Sequence, residues 1–242
     1  MAVLDAISTG LWPAFVDSVQ AVIRAGLEGL AMDAEVGGFE GSSENDLNRE
    51  LFFRMRRVAV TRHKALLSLT PRPALSREHT WNLVATYEAN NLPSPDDPER
   101  TNRENKRPDF QWSFQDDQAV DLDRATRTYV VECKRLGTAA GAWIFNGNYV
   151  AHGVRRYIDE THLYGKDDIY GGMIGYVQSM DVGTVAGEVV KALAESSLPT
   201  LPVPSPLPGS SAVHVAEHEL DRCNAASPFK LRHFWVDLRL PV

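Results

Sequence analysis

Tyr129-Val130-Val131-Glu132-Cys133-Lys134 is the stretch that decides how this chain of 242 residues is read. Tyr129, Val130 and Val131 form an aromatic and β-branched run of the kind that occupies a buried strand, and Glu132-Cys133-Lys134 continues it. Strand side chains alternate with a period of two, so Glu132 and Lys134 share one face while Val131 and Cys133 share the other. An acid and a base side by side at the end of an apolar strand are costly to desolvate unless they have partners or a task.

Upstream stands Arg107-Pro108-Asp109-Phe110. Asp109 opens a short strand, Phe110 to Phe114, which is expected to pair with a 127–134 strand through the polar turn from Asp116 to Arg124. That pairing brings Asp109 next to Glu132. Two carboxylates plus the backbone carbonyl of Cys133 make an oxygen-rich, negatively charged pocket, suited to a hard cation such as Mg²⁺, with Mn²⁺ as a substitute. Such an ion bridges a phosphate oxygen and a water. Lys134 then orients or helps deprotonate that water and offsets charge building on the phosphorus.

In spacing, order and strand context these residues resemble the PD-(D/E)xK phosphodiesterase superfamily, in which Pro-Asp precedes one strand and Glu-x-Lys lies on the next. The resemblance implies the restriction-endonuclease-like fold, an α/β (α+β) arrangement with a mixed central sheet flanked by helices. It makes Asp109 and Glu132 metal ligands and Lys134 the catalytic lysine. The competing matches in the chain fail on context. Of its six lysines, only Lys106 and Lys134 have an acid two positions before them. Glu104-Asn105-Lys106 lies in a polar loop ahead of the Pro-Asp, and Pro95-Asp96 reads as a turn.

A helix is expected after Ser42-Ser43, with Asp46 three residues beyond Ser43 and an apolar stripe of Leu47, Leu51, Met55 and Val58. At 100° per residue Glu44 falls about 25° from the centre of that stripe and Glu50 about 95° away. Glu44 is therefore the acid that points inward. In the family an acidic residue on an early helix often completes the metal site, and Glu44 is preferred over Glu50 for it. An acid stabilising the helix N-terminus through its dipole is the alternative.

The composition, 43% hydrophobic and 24% charged, is that of a soluble globular protein, and a cytoplasmic location is expected by default because no apolar run approaches membrane-spanning length. The two cysteines make neither a disulfide framework nor a zinc site, and His214, His218 and His233 lack tight ligand spacing. A net charge of −7 argues against coating nucleic acid by bulk electrostatics. Local basic clusters remain. Arg56 and Arg57 fall in one of them, Arg103, Lys106 and Arg107 lead into Asp109, and Arg155 and Arg156 ride on a helix expected at 148–160. These are the candidate phosphate-backbone contacts, with a solvated basic face as the alternative.

Three parts are expected: an N-terminal helical extension (1–41), a nuclease core (42–196), and a Pro-rich connector with C-terminal strands that return to the sheet (197–242). Within them, amphipathic helices are read over 3–31, 76–89 and 182–196, a polar loop over 90–107, a turn region over 137–147, and strands at 173–178, 212–219 and 229–238. Gln178 ends the first of these strands, either as a polar contributor to the site or as a solvated loop-end residue. The leading function is a metal-dependent endonuclease acting on DNA, of the kind found in bacterial restriction or antiviral defence, as a homodimer or with partner subunits supplying recognition. RNA cleavage and a non-catalytic nucleic-acid-binding or scaffold protein are the alternatives.

Overall fold

Trp12, Phe15, Val19, Val22, Ile23, Leu27 and Leu30 recur at helical spacing, are all buried, and make Leu11–Gly37 one continuous helix, α1. Pro13 sits in its first turn, where a missing N–H costs nothing. The computed structural model describes residues 11–39, 41–68, 81–91, 96–116, 119, 121, 125–140 and 144–239. Helix α2, Glu44–Leu67, is capped by Ser43, whose hydroxyl oxygen accepts the Asp46 N–H at 3.2 Å. Leu47, Leu51 and Met55 are buried as the stripe requires, Ala59 continues the row, and Val58 is half-buried beside it.

Among the described residues seven strands follow: β1 (Thr86–Tyr87), β2 (Phe110–Gln115), β3 (Thr126–Leu136), β4 (Tyr170–Val177), β5 (Ser205–Pro206), β6 (Val213–Leu220) and β7 (Phe229–Asp237). They form one mixed sheet in the order β1-β2-β3-β4-β7-β6-β5. The pairs β3/β4 and β4/β7 are parallel, and the flanking pairs are antiparallel. Helices α1 and α2 cover one face, over a core that includes Val131 and Cys133. The other face, with Val130 and Leu136, is covered by α4 (Phe145–Ala151), a 3-10 turn (Val154–Tyr157) and α5 (Val182–Glu195). The sheet therefore has helices on both faces, and its parallel centre is buried as such strands must be. Among the described residues no helix is long and apolar enough to cross a membrane.

Three local expectations are corrected. Of the helix read over 76–89, residues 76–80 lie outside the described residues, and 81–89 is non-helical and contains β1. Tyr87 pairs with Phe110, and Trp112 donates its indole N–H to Leu83 O at 3.0 Å, so pairing at the sheet edge overrides the helical spacing of Leu83 and Tyr87. The helix read over 148–160 starts earlier, at Phe145, and breaks at Gly153 into α4 and the 3-10 turn. A Cβ at Gly153 would lie 2.4 Å from Tyr149 O and 2.5 Å from Met173 Cε, so this turn presses directly on β4. The polar loop at 90–107 holds a short helix, α3 (Arg100–Glu104).

Strand β4 is glycine-rich for a packing reason. Gly171 and Gly175 face the same side, where a Cβ would come within 2.8 Å of Tyr157 and 2.7 Å of Trp235 respectively. Aromatic rings thus occupy the space that side chains on the central strand would otherwise take. Arg222, after β6, donates to the carbonyls of Tyr164, Gly165, Lys166, Asp168 and Ala226 and stacks over Phe229, which ties the β6–β7 hairpin to the segment entering β4. Beneath α4, Trp235 donates to the Tyr149 hydroxyl at 2.9 Å, and that hydroxyl lies 2.6 Å from His233 Nδ1. Burial pushes His233 well below its ordinary pKa and lowers His218 beside it.

Gly175→Val is expected to destabilise the chain by ~2–3 kcal/mol or more through overpacking against Leu136 and Trp235, read as a lower urea midpoint. The depressed histidine pKa values mean that the unfolded chain binds more protons below pH ~6.5. Stability from neutral His218 and His233 is therefore present above that pH and lost as pH falls. Urea midpoints at pH 7.5 and 5 are expected to differ less in His233→Gln than in the parent chain.

Candidate functional site

Strand β3 places Glu132 and Lys134 on the same side, and both are largely withdrawn from water: the Glu132 side chain is 1% exposed and that of Lys134 is 12% exposed. The ammonium answers three oxygens, donating to Glu132 Oε1 at 2.8 Å, Glu44 Oε1 at 2.9 Å and the Cys133 carbonyl at 2.6 Å. Arg156, on the 3-10 turn, donates to the same Glu132 Oε1 at 2.5 Å. The other carboxylate oxygen, Glu132 Oε2, is buried with no hydrogen-bond partner among the described residues. A carboxylate with one oxygen shared by two cations and the other left bare is an incomplete arrangement in a buried setting, where an unmatched charged acceptor costs at least ~1–3 kcal/mol.

Asp109 arrives from the neighbouring strand. The register Phe110↔Val131 carries it alongside Glu132, and its Oδ2 accepts the Cys133 N–H at 2.7 Å. Its Oδ1 accepts from Asn48 Nδ2 at 2.9 Å, while Asn48 Oδ1 accepts from the Tyr176 hydroxyl at 2.8 Å. The chain Tyr176–Asn48–Asp109–Cys133 thus crosses from β4 through α2 to β2 and β3, and fixes the Asp109 rotamer. Burial and then the nearby Glu132 charge hold the Asp109 carboxyl well above its ordinary range, against the lowering pull of Lys134 and the Cys133 N–H. For Lys134 burial acts downward, but Glu132, Glu44 and Asp109 outweigh it and hold the ammonium above its ordinary pKa. The Cys133 thiol is fully buried and pushed up by desolvation and Asp109, which leaves it unreactive.

Glu44 stands in the first turn of α2, where its second oxygen meets the Arg135 N–H at 3.3 Å. Glu50 pairs with Arg54 at 2.8 Å, away from Lys134, so Glu44 is the helix carboxylate at this locus. Gln178 contributes indirectly. Its amide donates to Phe39 O and Ser42 O at 2.8 and 3.1 Å, which anchors the segment that starts α2 and so sets the height of Glu44 above the sheet.

The basic residues separate into distinct environments. Arg156 is inside the charge cluster. Arg155 and Arg107 are exposed, Arg107 donating to Asn90 Oδ1 at 3.1 Å, and Lys106 is half-buried. Arg103 is 4% exposed and ion-paired with Asp97, with its Nε–H on Glu160 O, so it faces inward and braces the loop. Arg56 and Arg57 are exposed on α2, twelve and thirteen residues beyond Glu44, or about 18–20 Å along the helix axis.

Asn48 and Tyr176 are the site residues that the sequence reading missed. Asn48 had a signal: it lies four positions after Glu44, on the same helical face, among apolar neighbours. Tyr176 had none, because a tyrosine in an apolar strand run is indistinguishable from core.

Among the described residues, no group of three or more carboxylate, histidine or cysteine side chains is placed to hold a metal ion. The oxygens of Asp109, Glu132, Glu44 and the Cys133 carbonyl are of the chemical type that hard cations take, and Glu132 Oε2 is unmatched. The chain matches no protein-family model, no curated protein and no solved structure.

Asn48→Ala strips one partner from both Asp109 and Tyr176. Urea denaturation is expected to show a loss of ~1–3 kcal/mol, with less loss in Asn48→Asp at a pH low enough to protonate the new acid.

Proposed function

We propose that this chain is a Mg²⁺-dependent endonuclease of the PD-(D/E)xK type, with the restriction-endonuclease-like fold, that hydrolyses phosphodiester bonds in DNA. The observation that carries this reading is the buried, half-satisfied Glu132 carboxylate, set beside Lys134 and flanked by Asp109 and Glu44. Further support comes from an antiparallel β2–β3 pair that joins Pro108-Asp109 to Glu132-Cys133-Lys134, followed by the parallel β4.

Asp109, Glu132, Glu44 and the Cys133 carbonyl would hold the ion. When bound, it supplies Lewis-acid polarisation of the phosphate and an activated water. The remaining contributions belong to the side chains. Lys134 is kept protonated by its three acidic neighbours, so in the resting state it serves as a donor that neutralises negative charge and orients a water. Its own carbonyl contact at Cys133 and its bonds to both glutamates must loosen for those oxygens to serve elsewhere, and this leaves the ammonium free to face the substrate. Arg156 shares Glu132 Oε1 with Lys134, so it too is positioned to turn toward a phosphate oxygen. Asn48 keeps Asp109 oriented throughout. Arg107 and Arg155 lie exposed near this locus in sequence and supply backbone contacts, with Lys106 beside them, while Arg56 and Arg57 extend the basic surface along α2.

The test is cleavage of supercoiled plasmid and of a duplex RNA in Mg²⁺ or Mn²⁺. DNA nicking is expected in the parent chain and is expected to fall by at least ~10²-fold in Lys134→Ala and in Glu132→Ala. Wild-type rates in both variants would overturn the assignment, and RNA cleavage without DNA cleavage would move the substrate. Independently of turnover, Mg²⁺ is expected to raise the thermal midpoint of the parent chain and not that of Glu132→Gln.

A further inference from the structure

On the sheet face opposite Glu132 and Lys134, a cavity of about 570 Å³ opens between α1 and strands β4, β6 and β7. The alternation of β7 explains its chemistry. Phe229, Leu231 and His233 point into the core under α4 and α5, so Lys230 and Arg232 point the other way, toward α1. Arg232 pairs across the ladder with Glu217 of β6. From the helix, Asp17, Gln20 and Arg24 lie at successive turns beside the apolar stripe and form the facing wall. Most of the α1–sheet contact is packed with apolar side chains, and here both walls turn polar and an open volume remains.

The charges in this space are poorly matched. Arg232 Nε is buried and has no hydrogen-bond partner among the described residues, and the guanidinium approaches Glu217 only to 3.6 Å. Neither Arg24 nor Lys230 has a carboxylate partner among the described residues. Three cations therefore face two carboxylates, Asp17 and Glu217, and one guanidinium edge is desolvated without an acceptor. A protein does not keep such a donor idle without cost. Gln20 is held inward by its 3.5 Å contact to the Tyr129 hydroxyl, and Tyr170 adds an aromatic ring to the wall.

We propose that this cavity is a binding site for a small phosphorylated molecule of mononucleotide size. Its phosphate would be held by Arg24, Lys230 and Arg232, its hydroxyls by Asp17 and Glu217, and a flat ring would lie against Tyr170. Each part follows from the lining. A phosphate monoester brings close to two negative charges and several acceptor oxygens, which matches the three cations lining one cavity better than a single carboxylate does. The volume is within the range of small-ligand sites and far below what a duplex needs. The site stands apart from the nuclease reading, because it shares no side chain with Glu132, Lys134, Asp109 or Glu44.

Isothermal titration calorimetry on the full chain tests this with adenosine 5′-monophosphate, using adenosine, inorganic phosphate and a single-stranded oligothymidylate as comparison ligands. The expected result is one nucleotide bound per chain, weakened by about tenfold or more in Lys230→Gln and in Arg232→Gln, and unchanged in Lys134→Ala. Lys230 is half-buried and has no ion pair among the described residues, so Lys230→Gln is expected to melt like the parent chain even if Arg232→Gln does not. Four outcomes overturn the proposal: no binding of the nucleotide, equal affinity in Lys230→Gln, loss of binding in Lys134→Ala, or inorganic phosphate binding as tightly as the nucleotide. Oligothymidylate binding that depends on Lys230, without nucleotide binding, would reassign the cleft to a nucleic-acid strand.

Discussion

A carboxylate sealed to 1% exposure on the third strand of a seven-stranded sheet is the constraint around which this molecule is arranged. Taking Glu132 out of water costs several kcal/mol unless opposite charge comes with it, and the fold brings that charge from two directions. Lys134 follows two residues later on the same strand, Arg156 comes from the 3-10 turn beneath β4, and Glu44 on α2 shares the lysine and balances it. Each of these contacts requires a particular element at a particular height. The N-terminus of α2 is held there by its Ser43 cap and by the Gln178 amide, and the 3-10 turn is held by Gly153 against Met173.

The same strand divides two kinds of work between its faces. Val131 and Cys133 bury into the α1–α2 layer, while Val130 and Leu136 bury into the α4–α5 layer, and the charged pair is inserted between the latter two. A slip of one residue in the β2–β3 register would send Glu132 and Lys134 into the apolar core of α1 and separate Asp109 from the Cys133 N–H. The long parallel ladder to β4 and from β4 to β7 locks that register from the other side, and glycines at 171 and 175 let aromatic rings pack close on β4. The cavity on the far face arises from the same alternation, because strand β7 must put Lys230 and Arg232 somewhere once its apolar residues are committed to the opposite core.

Much of this was legible in local pattern. The period of two in Tyr129–Lys134 and the Ser43 cap with its Leu47, Leu51 and Met55 stripe gave β3 and α2, and the angular argument separated Glu44 from Glu50, which the structure places beside and away from Lys134 respectively. Where the reading failed, a non-local contact outweighed a local preference. Residues 81–89 have helical spacing, yet an open sheet edge at β2 recruits Tyr87 into a strand. Arg103 looks like a surface cation in a polar loop, yet Asp97 six residues earlier gives it a buried partner, and so it is withdrawn from the surface.

Residue identity and periodicity alone determined that an acid, a lysine and a second acid would lie on adjacent strands, because alternation and helical phase are properties of the chain within a few residues. The tertiary structure decided which atoms are satisfied. That Asn48 and Tyr176 orient Asp109, that Arg156 and Lys134 crowd onto one oxygen of Glu132 and leave the other bare, and that Arg232 lines a cavity while its Nε–H lacks an acceptor among the described residues are outcomes of packing between segments apart in sequence, 24 positions for Arg156 and Glu132 and 128 for Asn48 and Tyr176. Hydrogen-bond satisfaction depends on distances of a few tenths of an ångström between such segments, and no local pattern encodes them.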